Sequence, residues 1–242
     1  MQVTHQIKTF ILFSFCFLFL LTDGIGQSFV FGPKIGGSLA FQRWDNYPNR
    51  GAFISYNGAF FIESYEENEP SSLYAEVGYH RRGSTELRTF QTTGTSFFRA
   101  RQAYVFNNVN LIAGAKRIIN MNKNAKPYYI LGLRAEYTVS TNLDQYSQFV
   151  PWTPAIELVN NFNYGFTVGG GFQYDFSEFV GGAIEISIHP DISLQYDQPP
   201  LNNVINPWDF GSPRSLPQQR IRNISLEVTA VLRLKRIVEF IK

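Results

Sequence analysis

Three side chains capable of acid–base and nucleophilic chemistry alternate along one short segment of the sequence. Glu185, Ser187 and His189 combine a carboxylate, a hydroxyl and an imidazole, the groups that act together in nucleophilic catalysis. In an extended chain, however, residues two apart are separated by about 6.6 Å along the strand. Ser187 and His189 would therefore need a distorted strand to share a hydrogen bond. We interpret the three side chains as polar filling of one strand face and predict no catalytic residues.

Candidates for a metal or phosphate site are sparse. His80, His189 and Asp191 could bind a metal, but their positions match no established ligand spacing. The glycines at 169–171 lie inside a strand-like segment and no helix follows them, so they indicate close packing and not a phosphate loop. We predict no metal and no cofactor.

The elements that position these residues follow from alternation of apolar and polar side chains, which is typical of a strand with two different faces. Each run is roughly 9 to 13 residues long, the length that a tilted strand needs to cross a bilayer. We count eight runs, at about 31–41, 52–63, 73–80, 108–116, 129–137, 164–175, 180–189 and 224–235.

The connections between these runs alternate between short and long. The long ones fall at about 83–103, 140–161 and 190–220. Short turns on one side of a membrane and long loops on the other are typical of outer-membrane barrels. The sequence therefore predicts an all-β fold, an eight-stranded antiparallel up-and-down transmembrane β-barrel. Its expected location is the bacterial outer membrane, which the chain would cross several times.

Side-chain volume predicts which face of each strand points outward. The apolar face carries many large rings, such as Phe41, Tyr56 and Tyr164, whereas the other face is rich in glycine, serine and alanine. Because an eight-stranded barrel is barely wide enough for ordinary side chains, we expect the rings to face lipid. A soluble lipocalin-like barrel with an apolar interior is the alternative that alternation alone leaves open.

The face predicted to be enclosed carries balanced charges. Buried charges are tolerated when they are paired and hydrogen-bonded, which favours a plugged interior over a wide water channel. The predicted interior ion-pair network consists of Lys34, Glu76, Arg134, Glu136, Glu185, Glu227 and Arg233.

Residues 1–26 have the layout of a cleaved secretory signal peptide. Lys8 precedes an apolar run at 10–21, and Gly24-Ile25-Gly26 offers a small-x-small cleavage site. The apolar run is shorter than the roughly 20 residues of a transmembrane helix. Residues 27–242 then form the barrel domain, and they contain no cysteine because the single cysteine is Cys16.

The overall composition argues against a nucleic-acid partner, since the formal net charge is only +2. Charged residues make up 17% of the chain and aromatic residues 16%. Low charge with many aromatic rings suits a wall that faces lipid.

The first strand carries a family resemblance. Gly32-Pro33-Lys34-Ile35-Gly36-Gly37-Ser38-Leu39 resembles the G-x-K-x-G-x-[NS] start of small Bacteroidota outer-membrane barrels, the PorT-like group. The closing strand at 223–234 looks similar as well. The resemblance implies the barrel fold and the outer membrane, and some members of the group serve in type IX secretion. No functional residue is carried over, because the family offers no catalytic motif to match.

Two sets of side chains near the predicted outer loops are candidate contact sites. Rigid loops that display tryptophan make good interface anchors, and guanidinium groups pair well with phosphates. The candidate partner-binding residues are Trp44, Trp152 and Trp208, and the candidate lipopolysaccharide contacts are Arg81, Arg82, Arg88, Arg99 and Arg101. The alternatives are tryptophan rings that fold back onto the barrel rim and arginines that are merely solvated.

Taken together, these features predict a non-enzymatic integral outer-membrane protein that anchors or docks other envelope components through its extracellular loops. Its expected partners are outer-membrane lipid, lipopolysaccharide and an envelope or secretion protein. A lipid-modifying enzyme in the barrel mouth and a narrow pore for small solutes are the alternatives.

Overall fold

The computed structural model describes residues 28–45, 50–91, 97–119, 124–149, 153–206 and 209–238. The predicted signal peptide at 1–26 lies outside the described residues, as do Trp152 and Trp208. The side chains of Arg88 and Arg99 also fall outside the described part. Among the residues that are described, no helix is long and apolar enough to span a bilayer.

The described part of the chain is built from β-strands. They are β1 (Phe29–Trp44), β2 (Gly51–Ser64), β3 (Ser71–Gln91), β4 (Phe97–Ile118), β5 (Ala125–Thr141), β6 (Phe162–Asp175), β7 (Val180–Pro190), β8 (Tyr196–Gln198), β9 (Leu201–Asn206), β10 (Asp209–Leu216) and β11 (Gln219–Arg236). Strands β1–β7 and β11 form a closed ring in chain order. Each pairs antiparallel with the next, and β11 pairs back with β1 from Phe29↔Arg236 to Trp44↔Ile221. The predicted eight-stranded antiparallel up-and-down barrel is therefore confirmed.

The segments predicted as long loops contain more regular structure than expected. β3 and β4 stay paired from Ser71↔Arg117 to Gln91↔Phe97, so most of the predicted loop at 83–103 is a two-stranded ribbon. The apolar–polar alternation that marks the wall strands is absent from this part of the sequence, which is why a loop was predicted there. The third long connection contains β8 and a separate hairpin of β9 with β10, and the second contains short 3-10 segments.

The distribution of side chains is inverted relative to a soluble barrel. Ile54 on the outer wall is 78% exposed and Leu133 is 66% exposed, whereas Arg82 inside the barrel is 0% exposed. This arrangement follows from strand geometry, because successive side chains point to opposite faces of the wall. The outward rings and the enclosed charges lie where the volume argument puts them.

The interior is layered along the barrel axis. One buried apolar cluster, which includes Val30, Phe61 and Ile112, lies toward the end that carries the short turns. Charged and polar side chains occupy the middle and also border the short-turn end. A second buried cluster closes the long-loop end, and it consists of Trp44, Tyr104, Phe106, Leu143, Tyr196 and Ile221. We call this second cluster the aromatic cap.

The glycine run at 169–171 lies in β6. A Cβ added at Gly171 would clash with the carbonyl oxygen of Ile184 on β7. Close strand packing, as the sequence indicates, is therefore the role of this glycine.

Candidate functional site: the charged interior and the aromatic cap

Two arginines and two carboxylates form the centre of the barrel interior. Arg82 on β3 lies 2.8 Å from Glu136 on β5 and 2.7 Å from Asp191, which follows β7. Arg134 on β5 contacts the same two acids, with Nε 2.6 Å from the Glu136 carboxylate. All four side chains are fully buried. We call Arg82, Arg134, Glu136 and Asp191 the guanidinium cluster.

His80 links this cluster to a further carboxylate. Its Nε2 lies 3.0 Å from Glu136, and its Nδ1 lies 2.9 Å from Glu227 on β11. The Nδ1 contact with Glu227 has hydrogen-bond geometry, whereas the Nε2 contact with Glu136 is a close approach without it. Glu227 also accepts a hydrogen bond from the side-chain amide of Asn57 on β2.

Ser187 and His189 on β7 do share a hydrogen bond, contrary to the expectation from strand spacing. Ser187 Oγ lies 2.9 Å from His189 Nε2, and Thr167 Oγ1 lies 3.0 Å from Nδ1. The spacing argument failed because 6.6 Å separates backbone positions, whereas the long imidazole side chain reaches back along the strand. Glu185 does not complete a triad, since it contacts Lys34 instead.

The space beside Ser187 is small. The cavity that Ser187 and His189 line with His80 and Lys34 has a volume of about 20 Å³. That volume holds about one water molecule. The hydroxyl–imidazole pair therefore has no room for a substrate in this conformation and serves as satisfied polar filling.

A lysine-centred network lies next along the axis. Lys34 Nζ on β1 is 2.8 Å from Glu76 on β3 and 2.6 Å from Glu185 on β7. Lys34 also donates to the Tyr74 hydroxyl at 2.9 Å, and Tyr128 donates to Glu185 at 3.0 Å. These contacts join four strands across the barrel.

A third network borders the short-turn end. Glu63 on β2 accepts from Lys116 at 2.8 Å and from Arg233 at 2.9 Å. Arg233 also forms an ion pair with Asp175. Asp175 in turn pairs with Lys126 at 3.0 Å and with Lys235 at 2.9 Å. A cavity of about 450 Å³ opens here between these side chains and the turn at 64–70.

The seven predicted network residues all lie inside the barrel, but in three groups. Lys34, Glu76 and Glu185 belong to the lysine-centred network, and Arg233 belongs to the third network. Arg134 and Glu136 belong to the guanidinium cluster, to which His80 connects Glu227.

Sequence reasoning placed one central arginine wrongly. Arg82 was expected to contact lipopolysaccharide from an outer loop, yet it is fully buried against Glu136 and Asp191. Its position two residues after His80 and six after Glu76 puts it on the inward face of β3. The same alternation assigns Arg82 to the polar, enclosed face of the strand, whereas nothing in the sequence indicated that Asp191 folds back into the barrel.

Trp44 was a candidate partner contact, and the structure corrects this prediction in favour of the alternative, a ring that folds back at the barrel rim. Trp44 is only 5% exposed, because it faces inward two residues after Gln42, whose side-chain oxygen accepts the indole N–H at 3.1 Å. The ring packs against Tyr104 with centroids 5.2 Å apart, and the Arg50 guanidinium stacks 3.5 Å from its centre. Trp44 therefore belongs to the aromatic cap.

Two of the loop arginines have described side chains outside the barrel interior. Arg81 is half-buried on the outer wall, where its Nε donates to Asn107 at 3.1 Å. Its guanidinium also lies 5.6 Å from the Phe53 ring centre and 5.8 Å from that of Tyr56. Arg101, on the ribbon, is exposed.

Metal ligands do not gather in the described part of the chain, where no group of three histidine, cysteine or acidic side chains could hold an ion. Asp191, a candidate ligand in the sequence, instead pairs with Arg82 and Arg134.

Solved outer-membrane proteins have similar architecture at low sequence identity. Neisserial surface protein A aligns with a TM-score of 0.46 and 11% identity, covering 86% of this chain and 97% of that one. OprG from Pseudomonas aeruginosa aligns with a TM-score of 0.45 and 9% identity over 86% and 96% of the two chains. Ail of Yersinia pestis, in complex with the heparin analogue sucrose octasulfate, has a TM-score of 0.40 and 10% identity over 85% and 99%.

No protein-family model and no curated protein sequence matches the chain. The fold assignment rests on the chain's own strand pairing.

Proposed function

We propose that this chain is an integral outer-membrane protein that plugs its own barrel and presents a rigid extracellular platform to other envelope components. The observation that carries the proposal is the inverted distribution of side chains. Large apolar residues are exposed around the wall, while the charges inside are paired and buried. In water that exposed surface would be a severe aggregation liability, whereas in lipid it is the stable arrangement.

The two ends of the barrel differ, and the difference supports an orientation of the barrel in the membrane. Both ends of the closing β1–β11 seam at Phe29 and Arg236 lie with the short turns, which suits the periplasmic side. The aromatic cap, the β3–β4 ribbon and the β9–β10 hairpin lie at the other end, which suits the extracellular side.

The filled interior favours an anchor over a pore. The ion-pair networks cross the barrel from wall to wall, and the aromatic cap covers them at the long-loop end. An enzyme in the barrel mouth receives less support, because the Ser187–His189 pair adjoins a cavity of only about 20 Å³.

Planar-bilayer recording tests the plugged interior directly. We expect the reconstituted chain to produce no stable conductance steps, because moving ions would have to displace paired, buried charges. A general porin inserted in the same bilayer serves as the positive control. Regular ohmic steps from the purified chain would contradict the plugged state.

The cap supports the docking part of the proposal. Tyr146 packs 5.0 Å from Tyr104, and its hydroxyl donates to the backbone of Ala103 at 3.0 Å, so the 3-10 segment is tied to the ribbon. Loops held in this way lose little entropy when a partner binds. Trp152 and Trp208 stay proposed partner contacts. Arg81, Arg88, Arg99 and Arg101 stay proposed lipopolysaccharide contacts.

The resemblance of residues 32–39 to PorT-like barrels supports a more specific form of the proposal, an accessory role in type IX secretion. Deletion of the β9–β10 hairpin, residues 201–216, removes part of the platform while leaving every wall strand in place. We expect this variant to reach the membrane but to lose in-cell crosslinks to an envelope protein, together with secretion of cargo. Unchanged crosslinks and secretion would contradict the docking role of the hairpin.

A further inference from the structure

We propose that Arg43 and Arg222 form a binding site for the phosphate group of an outer-leaflet glycolipid of the lipid A type. The two residues are direct partners in the β1–β11 pairing, and both are exposed on the outer wall at the long-loop end. This inference rests on the proposed outer-membrane location, and it assigns a ligand to a surface that the loop arginines do not include.

The position of the pair matches the boundary of the apolar wall. Phe41 and Ile224, one step toward the middle of the barrel on the same face, are themselves cross-strand partners and are 41% and 42% exposed. Farther toward the long-loop end lie the polar residues Asp45, directly after β1, and Arg220, the second residue of β11. A guanidinium placed between a lipid-facing ring and the aqueous loops lies at the depth of lipid head-group phosphates.

The pairing of two arginines is unfavourable without an anion. Directly opposite residues on one face of an antiparallel pair have Cβ atoms about 4.5–5.5 Å apart, and like charges there repel. Among the described residues, neither Arg43 nor Arg222 has an ion-pair partner. The neighbouring Arg220, by contrast, pairs with Asp45 at 2.8 Å.

The cations inside the barrel differ from Arg43 and Arg222, because they form ion pairs. Lys34, Arg82, Lys116, Arg134 and Arg233 each contact at least one carboxylate. Two adjacent arginines left without a carboxylate make a preformed site for an external dianion. Phosphate fits best, since planar guanidinium groups bind its oxygens in pairs of parallel hydrogen bonds.

The test uses the full chain in a nonionic detergent without phosphate, with lipid binding followed by native mass spectrometry. Monophosphorylated lipid A is the probe, and dephosphorylated lipid A and phosphatidylglycerol are the comparisons. We expect R43Q/R222Q to bind the probe about tenfold more weakly, as suits the loss of charge-assisted hydrogen bonds. R236Q is the matched control, because Arg236 faces outward at the other end of β11, and its binding should equal that of the unmodified chain.

A stability measurement separates ligand binding from a structural effect. In lipid-free detergent, R43Q/R222Q should unfold at a higher urea concentration than the unmodified chain, because the like-charge repulsion is gone. With monophosphorylated lipid A present the order should reverse, since a ligand stabilises the state that binds it. R43K/R222K should fall between the two in affinity, because lysine cannot form the bidentate contact.

Equal binding of the probe by R43Q/R222Q and the unmodified chain would overturn the inference, and so would equal binding of dephosphorylated lipid A. Phosphatidylglycerol bound as tightly as lipid A would overturn the glycolipid assignment. These results differ from a failure of the proposed function itself, which would appear as a chain that stays monodisperse without any detergent.

Discussion

Replacing Glu136 with glutamine is expected to lower the free energy of unfolding by about 3–5 kcal/mol, the cost of breaking a buried ion pair by removing one partner. Glu136 contacts Arg82, Arg134 and His80 at 2.6–3.0 Å with no solvent exposure. The amide keeps the shape but not the charge. Arg82, Arg134 and His80 would then have only Asp191 and Glu227 as carboxylate partners in this cluster.

Urea titration of the chain in detergent micelles, followed by tryptophan fluorescence, measures this change. Glu66→Gln is the matched control, because Glu66 is an exposed residue of the turn after β2 and should shift stability by no more than about 0.5 kcal/mol. If the two variants unfolded at the same urea concentration, the guanidinium cluster would not hold the barrel together as described.

Placing arginine on the outer wall is the second change with a large expected effect. Leu133 lies in the middle of β5 and is 66% exposed. At a bilayer midplane, Leu133→Arg should destabilise the folded barrel by about 2–4 kcal/mol. On the surface of a soluble protein, the same substitution would change stability by no more than about 0.5 kcal/mol.

The chain provides a matched position for this experiment. Ile205 is also on a strand and 69% exposed, but it lies in the separate β9–β10 hairpin, opposite Pro213. Ile205→Arg should therefore be nearly neutral when both variants are folded into phospholipid vesicles and unfolded with urea. Equal effects at Leu133 and Ile205 would argue against a lipid-facing wall and, with it, against the proposed function.

Glu136 and Leu133 lie on opposite faces of the same strand. Leu133 and Arg134 are adjacent in β5, yet one is exposed on the wall and the other is buried among charges. A barrel built in this way is stabilised by lipid outside and by ion pairs inside.

The sequence by itself determined the strands of the wall and their two faces. Alternation in β6, such as Phe166 outside and Thr167 inside, is a local property, because neighbouring side chains of any strand point in opposite directions. The size of the rings then decided which face was outside, since a narrow barrel cannot enclose them. Both arguments need only residues close together in the chain.

The tertiary structure alone decided which charges pair and where the wall strands stop. Arg82 meets Asp191 across 109 positions of sequence, and Lys34 meets Glu185 across 151. Such contacts depend on strand register and ring closure, which no local pattern encodes. The continued pairing of β3 and β4 beyond the predicted wall belongs to the same class, because it depends on contacts between two strands that alternation within either strand does not encode.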